Sequence, residues 1–189
     1  MTSTERRYFY EQYATSEDPW GFASRWYERR KYALTLAALP RARYARAFEP
    51  GCSIGVLSEL LAARCDHLLA CDIVPSALEQ AAARLVPRPN VVLERRAIPE
   101  AWPTDIFDLI VLSEIAYYFD AAALAGVVAK VVDSTVLGAH LVAVHWRGPT
   151  NYALSAAEVH AQIDRSEHWQ RAVHYEEENF ILDVWERVT

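Results

Sequence analysis

The chain has 189 residues, 52% of them apolar, and a formal net charge of −6. That length and composition suit one domain, residues 1–189, with a substantial hydrophobic core. No basic stripe is present to meet a nucleic acid, no apolar run reaches the length of a membrane span, and Cys52, Cys65 and Cys71 follow no metal-ligand spacing.

The cysteines read as reduced and packed, and the polar N-terminal stretch carries no signal-like run, so the expected location is the cytoplasm. Tyr8, Phe9, Tyr10 and Tyr13 come first, then Asp18-Pro19-Trp20-Gly21-Phe22, then Trp26-Tyr27-Glu28-Arg29-Arg30-Lys31-Tyr32. The spacing predicts two helices within residues 8–39, broken at Pro19 and Gly21. This segment is either a flap packed on the main domain or a lid, spanning 1–40, whose Trp20 closes over a ligand. Arg29 either pairs with a ligand carboxylate in a forked geometry or joins Arg30 and Lys31 on a solvated helix face.

Tyr44 to Phe48 predicts the first strand, and Val56 to Arg64 the next helix, with Leu57, Leu60 and Leu61 inward. Between them, Glu49-Pro50-Gly51-Cys52-Ser53-Ile54-Gly55 carries an acidic residue into a tight glycine turn. Gly51 and Gly55 can take backbone angles closed to other residues and let a ligand approach the main chain. The pattern fits a nucleotide cradle or a plain turn. A second strand, 67–71, runs into Asp72, and Pro75-Ser76 starts a helix over Ala77 to Leu85. Asp72 lies about twenty residues beyond the glycine turn, where an acid can accept hydrogen bonds from ribose hydroxyls. The alternative role is an N-cap for the following helix.

Asn90 to Glu94 predicts a third strand, followed by Ala97-Ile98-Pro99. Ile106 to Leu112 is a near-continuous apolar run, as expected of a strand covered on both faces. Ser113-Glu114-Ile115-Ala116-Tyr117-Tyr118 follows it. Ala122 to Leu137 predicts a helix stopped by Gly138. His140 to Trp146 predicts a fifth strand, and Ser155 to His168 a helix opened by a Ser155/Glu158 capping box. Val173 to Val188 predicts two strands turning near Asn179. The alternation predicts a doubly wound α/β sheet whose ligand sits beyond the carboxyl ends of the strands. The glycine turn, Asp72, Ala97-Ile98, Ser113-Glu114 and His145-Trp146 are expected on that rim.

On Glu49 to Gly55, Asp72, and Phe107-Asp108-Leu109-Ile110-Val111 before Ser113-Glu114, the sequence resembles class I S-adenosylmethionine-dependent methyltransferases along nearly its whole length. More narrowly it is similar to the nodulation protein S family, on Asp18-Pro19-Trp20, Tyr27-Glu28-Arg29, Glu49-x-Gly51-Cys52 and Glu114-x-x-Tyr117-Tyr118. The resemblance implies a Rossmann-like, seven-stranded, mostly parallel sheet with an antiparallel last strand and an N-terminal helical lid. It implies S-adenosylmethionine as cofactor, S-adenosylhomocysteine as product, and a small-molecule acceptor; that family N-methylates a deacetylated glucosamine unit of chitooligosaccharide signals. Glu49, Gly51 and Gly55 are implied for the methionine half, Asp72 for the ribose and Ile73 for the adenine. Trp20 and Arg29 are implied to close the pocket, with Ser113 completing the set. Ala97 stands about where the family's adenine-contacting acid is found, so backbone groups of Ala97 and Ile98 take that place, and Ile54 stands where many such enzymes carry glycine.

Methyl transfer chiefly requires an aligned acceptor and excluded water, and an amine must be neutral to attack. His145 is the preferred base, the alternative being a strand-end histidine bonded to the backbone. Glu114 orients the acceptor or caps a helix, and Tyr117 and Tyr118 pack a sugar face or fill the core. His160, His168 and His174 read as surface or packing residues. Transfer to oxygen or carbon, a nicotinamide-dependent oxidoreductase, and a non-catalytic binding module are the competing functions. The chain is expected to act as a monomer or homodimer.

Overall fold

The computed structural model describes residues 4–189, so the start of the expected lid lies outside the described residues. The chain forms two compact units, Glu5–Ala97 and, together with residue 4, Ile98–Thr189. The first unit holds α1 (Arg6–Thr15), α2 (Trp26–Ala38), β1 (Tyr44–Pro50), α3 (Val56–Ala62), β2 (Cys65–Asp72), α4 (Pro75–Leu85) and β3 (Val91–Arg95). Both β1 and β3 pair with β2 in parallel, with Phe48 opposite Leu69 and Leu68 opposite Val91. Leu68, Ala70 and Cys71 of β2 are buried, as a strand paired on both edges demands.

The second unit holds β4 (Phe107–Ser113), a 3₁₀ turn (Ala116–Tyr118), α5 (Ala121–Asp133), β5 (Thr135–Trp146), α6 (Ala156–Asp164), β6 (Trp169–Glu176) and β7 (Phe180–Arg187). β4 and β5 run parallel, and β7 is antiparallel to both β5 and β6. The sheet has seven strands in the order β3-β2-β1-β4-β5-β7-β6, the expected Rossmann-like α/β topology with its reversed last strand. Among the described residues, no helix is long and apolar enough to cross a membrane.

Two expectations need correction, and one weighed alternative fails for one residue. Leu60 is exposed, and Ser58 instead shares the buried face of α3 with Leu57 and Leu61, because its hydroxyl is drawn inward by a hydrogen bond to Glu49. Gly138 does not stop a helix. α5 ends at Asp133, β5 begins two residues later, and Gly138 takes φ 75° within that strand, where the register jumps from Phe107↔Thr135 to Leu109↔His140. An apolar run such as Val131 to Leu137 is the kind of segment whose periodicity does not separate helix from strand. Lys31 does not follow the solvated-face alternative weighed for it with Arg29 and Arg30: it is buried. Its ammonium pairs with Glu28 at 2.7 Å and lies 5.0 Å from the centre of the Tyr27 ring.

Gly55 begins α3 at φ 75°, and a Cβ there would meet the Ala81 Cβ at 3.0 Å. Gly55→Ala therefore combines left-handed backbone strain with a clash against α4. It is expected to lower unfolding free energy by about 1–3 kcal/mol in urea titration.

Candidate active site

The end of β1 and the end of β2 are tied together by the glycine turn. Gly51 and Cys52 both donate their backbone N–H to the Cys71 carbonyl, at 2.7 and 2.9 Å. Gly51 takes φ 74°, and Ser53 takes φ 52°, an uncommon left-handed angle for a residue with a side chain. That angle turns the Ser53 N–H onto Asp72 Oδ2 at 2.9 Å, while Asp72 Oδ1 accepts the Val74 N–H at 2.9 Å. The N-cap role weighed for Asp72 is not what forms: Val74 is the N-cap of α4, no side chain caps that helix, and Asp72 instead bonds the N–H of the N-cap residue itself. The Ser53 bond brings the same carboxylate to the turn. A carboxylate offers about four acceptor sites, so these backbone bonds leave room for a ligand hydroxyl. Burial pushes the Asp72 carboxyl above its ordinary range, against the backbone N–H bonds that lower it.

Glu49 lies at the end of β1, 2% exposed, with Oε2 accepting the Ser58 hydroxyl at 2.6 Å. Burial pushes its carboxyl up to about 8; the Ser58 bond opposes this and the Asp72 charge adds to it. A buried carboxyl held this high favours a cation beside it.

The N-terminal segment packs on the turn. Asp18 accepts the Phe22 and Ala23 N–H groups at 2.8 and 2.9 Å, which folds the Asp18-Pro19-Trp20-Gly21-Phe22 bend. Trp20 meets Tyr13 edge to face at 5.6 Å and stacks on Phe22. Tyr13 forms a buried cluster with Ile54, Val74 and Ala77, against which Trp20 and Ile73 pack, and its hydroxyl hydrogen-bonds Ser53. The Tyr10 hydroxyl donates to the Ile73 carbonyl at 3.1 Å. Trp20 and Ile73 thus come to the turn, whereas Arg29 stands exposed on α2. Ala97 is half-buried in the loop after β3. Tyr13, Ser53 and Ser58 were missed in the sequence. Tyr13 was hidden among other lid aromatics, and Ser58 among leucines.

In the second unit, Ile98 is half-buried, and the turn after Ser113 closes on the end of β5. Glu114 takes φ 55° and donates its N–H to Val144 O at 2.9 Å. Glu114 Oε2 accepts the Tyr117 hydroxyl at 2.6 Å and the Trp146 N–H at 2.9 Å. Tyr117, Tyr118 and Tyr152 pack ring to ring, with centroids 4.5–4.8 Å apart. His145 is fully buried; its Nε2 accepts the Ala116 N–H at 3.1 Å and its Nδ1 faces His160 Nε2 at 3.0 Å. This is the backbone-bonded alternative weighed above. Both ring nitrogens are engaged, so His145 holds the turn and has no lone pair directed at an acceptor's proton. Tyr152 was missed because its loop carries no periodic pattern.

A family model, Nodulation protein S (NodS), matches residues 2–142. Nodulation protein S of Rhizobium tropici is 30% identical over 129 residues, covering 67% of this chain and 54% of that protein. Nodulation protein S of Bradyrhizobium diazoefficiens is 32% identical over 119 residues, covering 62% and 57%. The chain thus spans a little over half the length of these relatives. Among solved structures, a methyltransferase candidate from Pseudomonas syringae is 44% identical, with TM-score 0.78, covering 86% of this chain and 100% of that one. The N-methyltransferase NodS of Bradyrhizobium japonicum WM9, in complex with S-adenosyl-L-homocysteine, shares the fold. It is 22% identical, with TM-score 0.84, covering 95% and 97%.

The raised Glu49 carboxyl sets a pH dependence. As pH rises from about 4.5 to about 8, the unfolded chain releases this proton while the folded chain retains it. The contribution is therefore present below the unfolded value and lost as pH rises. Between pH 5 and pH 8 the ligand-free protein should lose roughly 2–4 kcal/mol of stability relative to Glu49→Gln. Denaturant titrations of the two proteins across that range provide the check.

Proposed function

The chain belongs to the nodulation protein S family, and on that premise we propose that it is an S-adenosylmethionine-dependent methyltransferase that N-methylates an amino sugar or a similar amine-bearing metabolite. The observation that carries the reading is the bond from Ser53 N–H to Asp72 Oδ2, which puts the glycine turn and a carboxylate with spare acceptor sites in one place.

The residues fit the cofactor. Asp72 would accept the ribose hydroxyls, and Ile73 would offer the adenine an apolar surface. Backbone groups of Ala97 and Ile98 would read the adenine edge. Glu49, whose Oε1 has no hydrogen-bond partner among the described residues, would receive the ammonium of the methionine half, and Gly51 and Gly55 would leave the main chain open to it. Trp20 would shield the site from water, with Arg29 brought in on closure and Ser113 at the end of β4 completing the set. When bound, S-adenosylmethionine supplies an electrophilic methyl group on a cationic sulfur.

The acceptor amine must present a lone pair to that methyl group. Glu114 and Tyr117 orient the acceptor, Glu114 as a carboxylate that attracts an amine and the buried Tyr117 by holding that carboxylate through its hydroxyl. His145 supports them from behind the turn. Alignment and water exclusion therefore carry the rate, with His145 acting through the turn.

Calorimetry with S-adenosylhomocysteine and with NAD separates this reading from an oxidoreductase, with binding expected for the first alone. Asp72→Ala should weaken S-adenosylhomocysteine by about 1–3 kcal/mol in a folded protein. Labelled methyl from S-adenosylmethionine should reach glucosamine nitrogen in a panel of amines, sugars and phenols. Label on oxygen or carbon would replace the acceptor class, and binding without turnover would leave a binding module.

A further inference from the structure

The second unit contains a buried chain of side chains that methyl transfer does not directly use. His145 Nδ1 lies 3.0 Å from His160 Nε2, His160 Nδ1 lies 2.6 Å from Asp183 Oδ2, and Asp183 Oδ1 lies 2.6 Å from His174 Nδ1. His145, His160 and Asp183 are all buried, at 0%, 3% and 0% exposure, while His174 reaches solvent. Sheet register explains the alignment. Asp183 stands opposite Ala143 of β5 and opposite His174 of β6, so His145, two residues from Ala143, shares the Asp183 face. α6 buries Ala156, Val159, His160 and Ile163, a helical stripe that delivers His160 between them.

The two ends of this chain fix the direction of every bond in it. Ala116 N–H can only donate, so His145 Nε2 must present a lone pair and carry its proton on Nδ1. His145 Nδ1–H then donates to His160 Nε2, and His160 Nδ1–H donates to the Asp183 carboxylate. Burial pushes that carboxyl up, but hydrogen bonds from His160 and His174 outweigh it and hold it below its ordinary range, which suits an acceptor. Arg171 Nη1 also faces Asp183 at 3.8 Å while pairing with Asp164, and His174 Nε2 faces Glu176 at 3.5 Å. The opposite ring tautomer would set an N–H against the Ala116 N–H.

We infer that His160 and Asp183 are positioning residues that fix the His145 tautomer and thereby hold the 113–118 turn in the shape that presents Glu114 and Tyr117. Three consecutive residues of β5 grip this turn: Val144 through its carbonyl, His145 through its ring and Trp146 through its N–H. The His145 contact alone depends on where a side-chain proton sits. His145, His160 and Asp183 all lie beyond residue 142, where the family match ends. The part played by the turn in acceptor binding rests on the proposed function; the tautomer chain does not.

The test begins with long-range ¹⁵N–¹H spectra of the histidine rings in the wild-type protein. His145 and His160 should both carry the proton on Nδ1, and an Nε2–H form at either would overturn the chain. Ala116 amide exchange is the second readout. It should quicken about tenfold in His160→Leu, as expected for loss of one hydrogen bond's support, and stay near wild type in His145→Gln, whose side-chain oxygen can accept the same N–H. Equal exchange in wild type and a folded His160→Leu would also overturn the proposal. If His160→Leu does not fold, the wild-type ring spectra still decide. With glucosamine as the acceptor probe, His160→Leu should raise acceptor KM severalfold and leave S-adenosylmethionine KM unchanged. Absence of glucosamine turnover in the wild type counts against the proposed acceptor, while the ring spectra judge the chain separately.

Discussion

Asp72 accepts two backbone N–H groups, one from Val74 at the start of its own following helix and one from Ser53 in the turn nineteen residues earlier. The second bond requires Ser53 to hold a left-handed angle, and the Gly51 and Cys52 bonds to Cys71 hold the preceding backbone in place. Tyr13 then bonds Ser53 from above, so the N-terminal segment is fastened to the same point. Removal of the Asp72 carboxylate leaves the Ser53 N–H without its acceptor and the Tyr13 contact without a fixed base. A carboxylate that shapes the turn can also serve a ligand, because backbone bonds occupy only part of its acceptor capacity.

The two units handle carboxyl groups in different ways. In the first, burial raises Glu49 and Asp72, and no cation pairs with either carboxyl among the described residues. Such sites cost stability as ligand-free protein and favour a ligand that brings positive charge or hydroxyl donors. In the second, Asp183 is surrounded by His160, His174 and Arg171 and is held low. Its role is internal, setting proton positions along a hydrogen-bonded chain toward Ala116. The first arrangement suits ligand recognition and the second suits rigidity.

Most of the architecture was legible in the sequence because strand and helix patterns alternate with clear start and stop residues. Pro75 opens α4 and the Ser155/Glu158 box opens α6 as their chemistry requires. The failures share a cause. Gly138 has the composition of a helix stop but relieves a strand irregularity, and Lys31 carries a charge that pattern alone assigns to solvent. Both depend on tertiary neighbours that no local window contains. The glycine turn and Asp72 were readable as a pair from spacing, whereas Ser53 and Tyr13, which join that pair to the lid segment, meet only after folding. The engagement of both His145 nitrogens depends on a backbone N–H twenty-nine residues earlier and a helix fifteen residues later, so sequence could name the residue without deciding its role.

The central claim is that one carboxylate both anchors the glycine turn and receives an adenosine ribose. A crystal structure of the protein soaked with S-adenosylhomocysteine addresses it most directly. The account predicts the ribose hydroxyls within hydrogen-bond distance of Asp72 Oδ1 and Oδ2, with the Ser53 N–H bond still in place. Adenosine bound away from Asp72, or a Ser53 turn that swings off the carboxylate to admit it, would contradict the account.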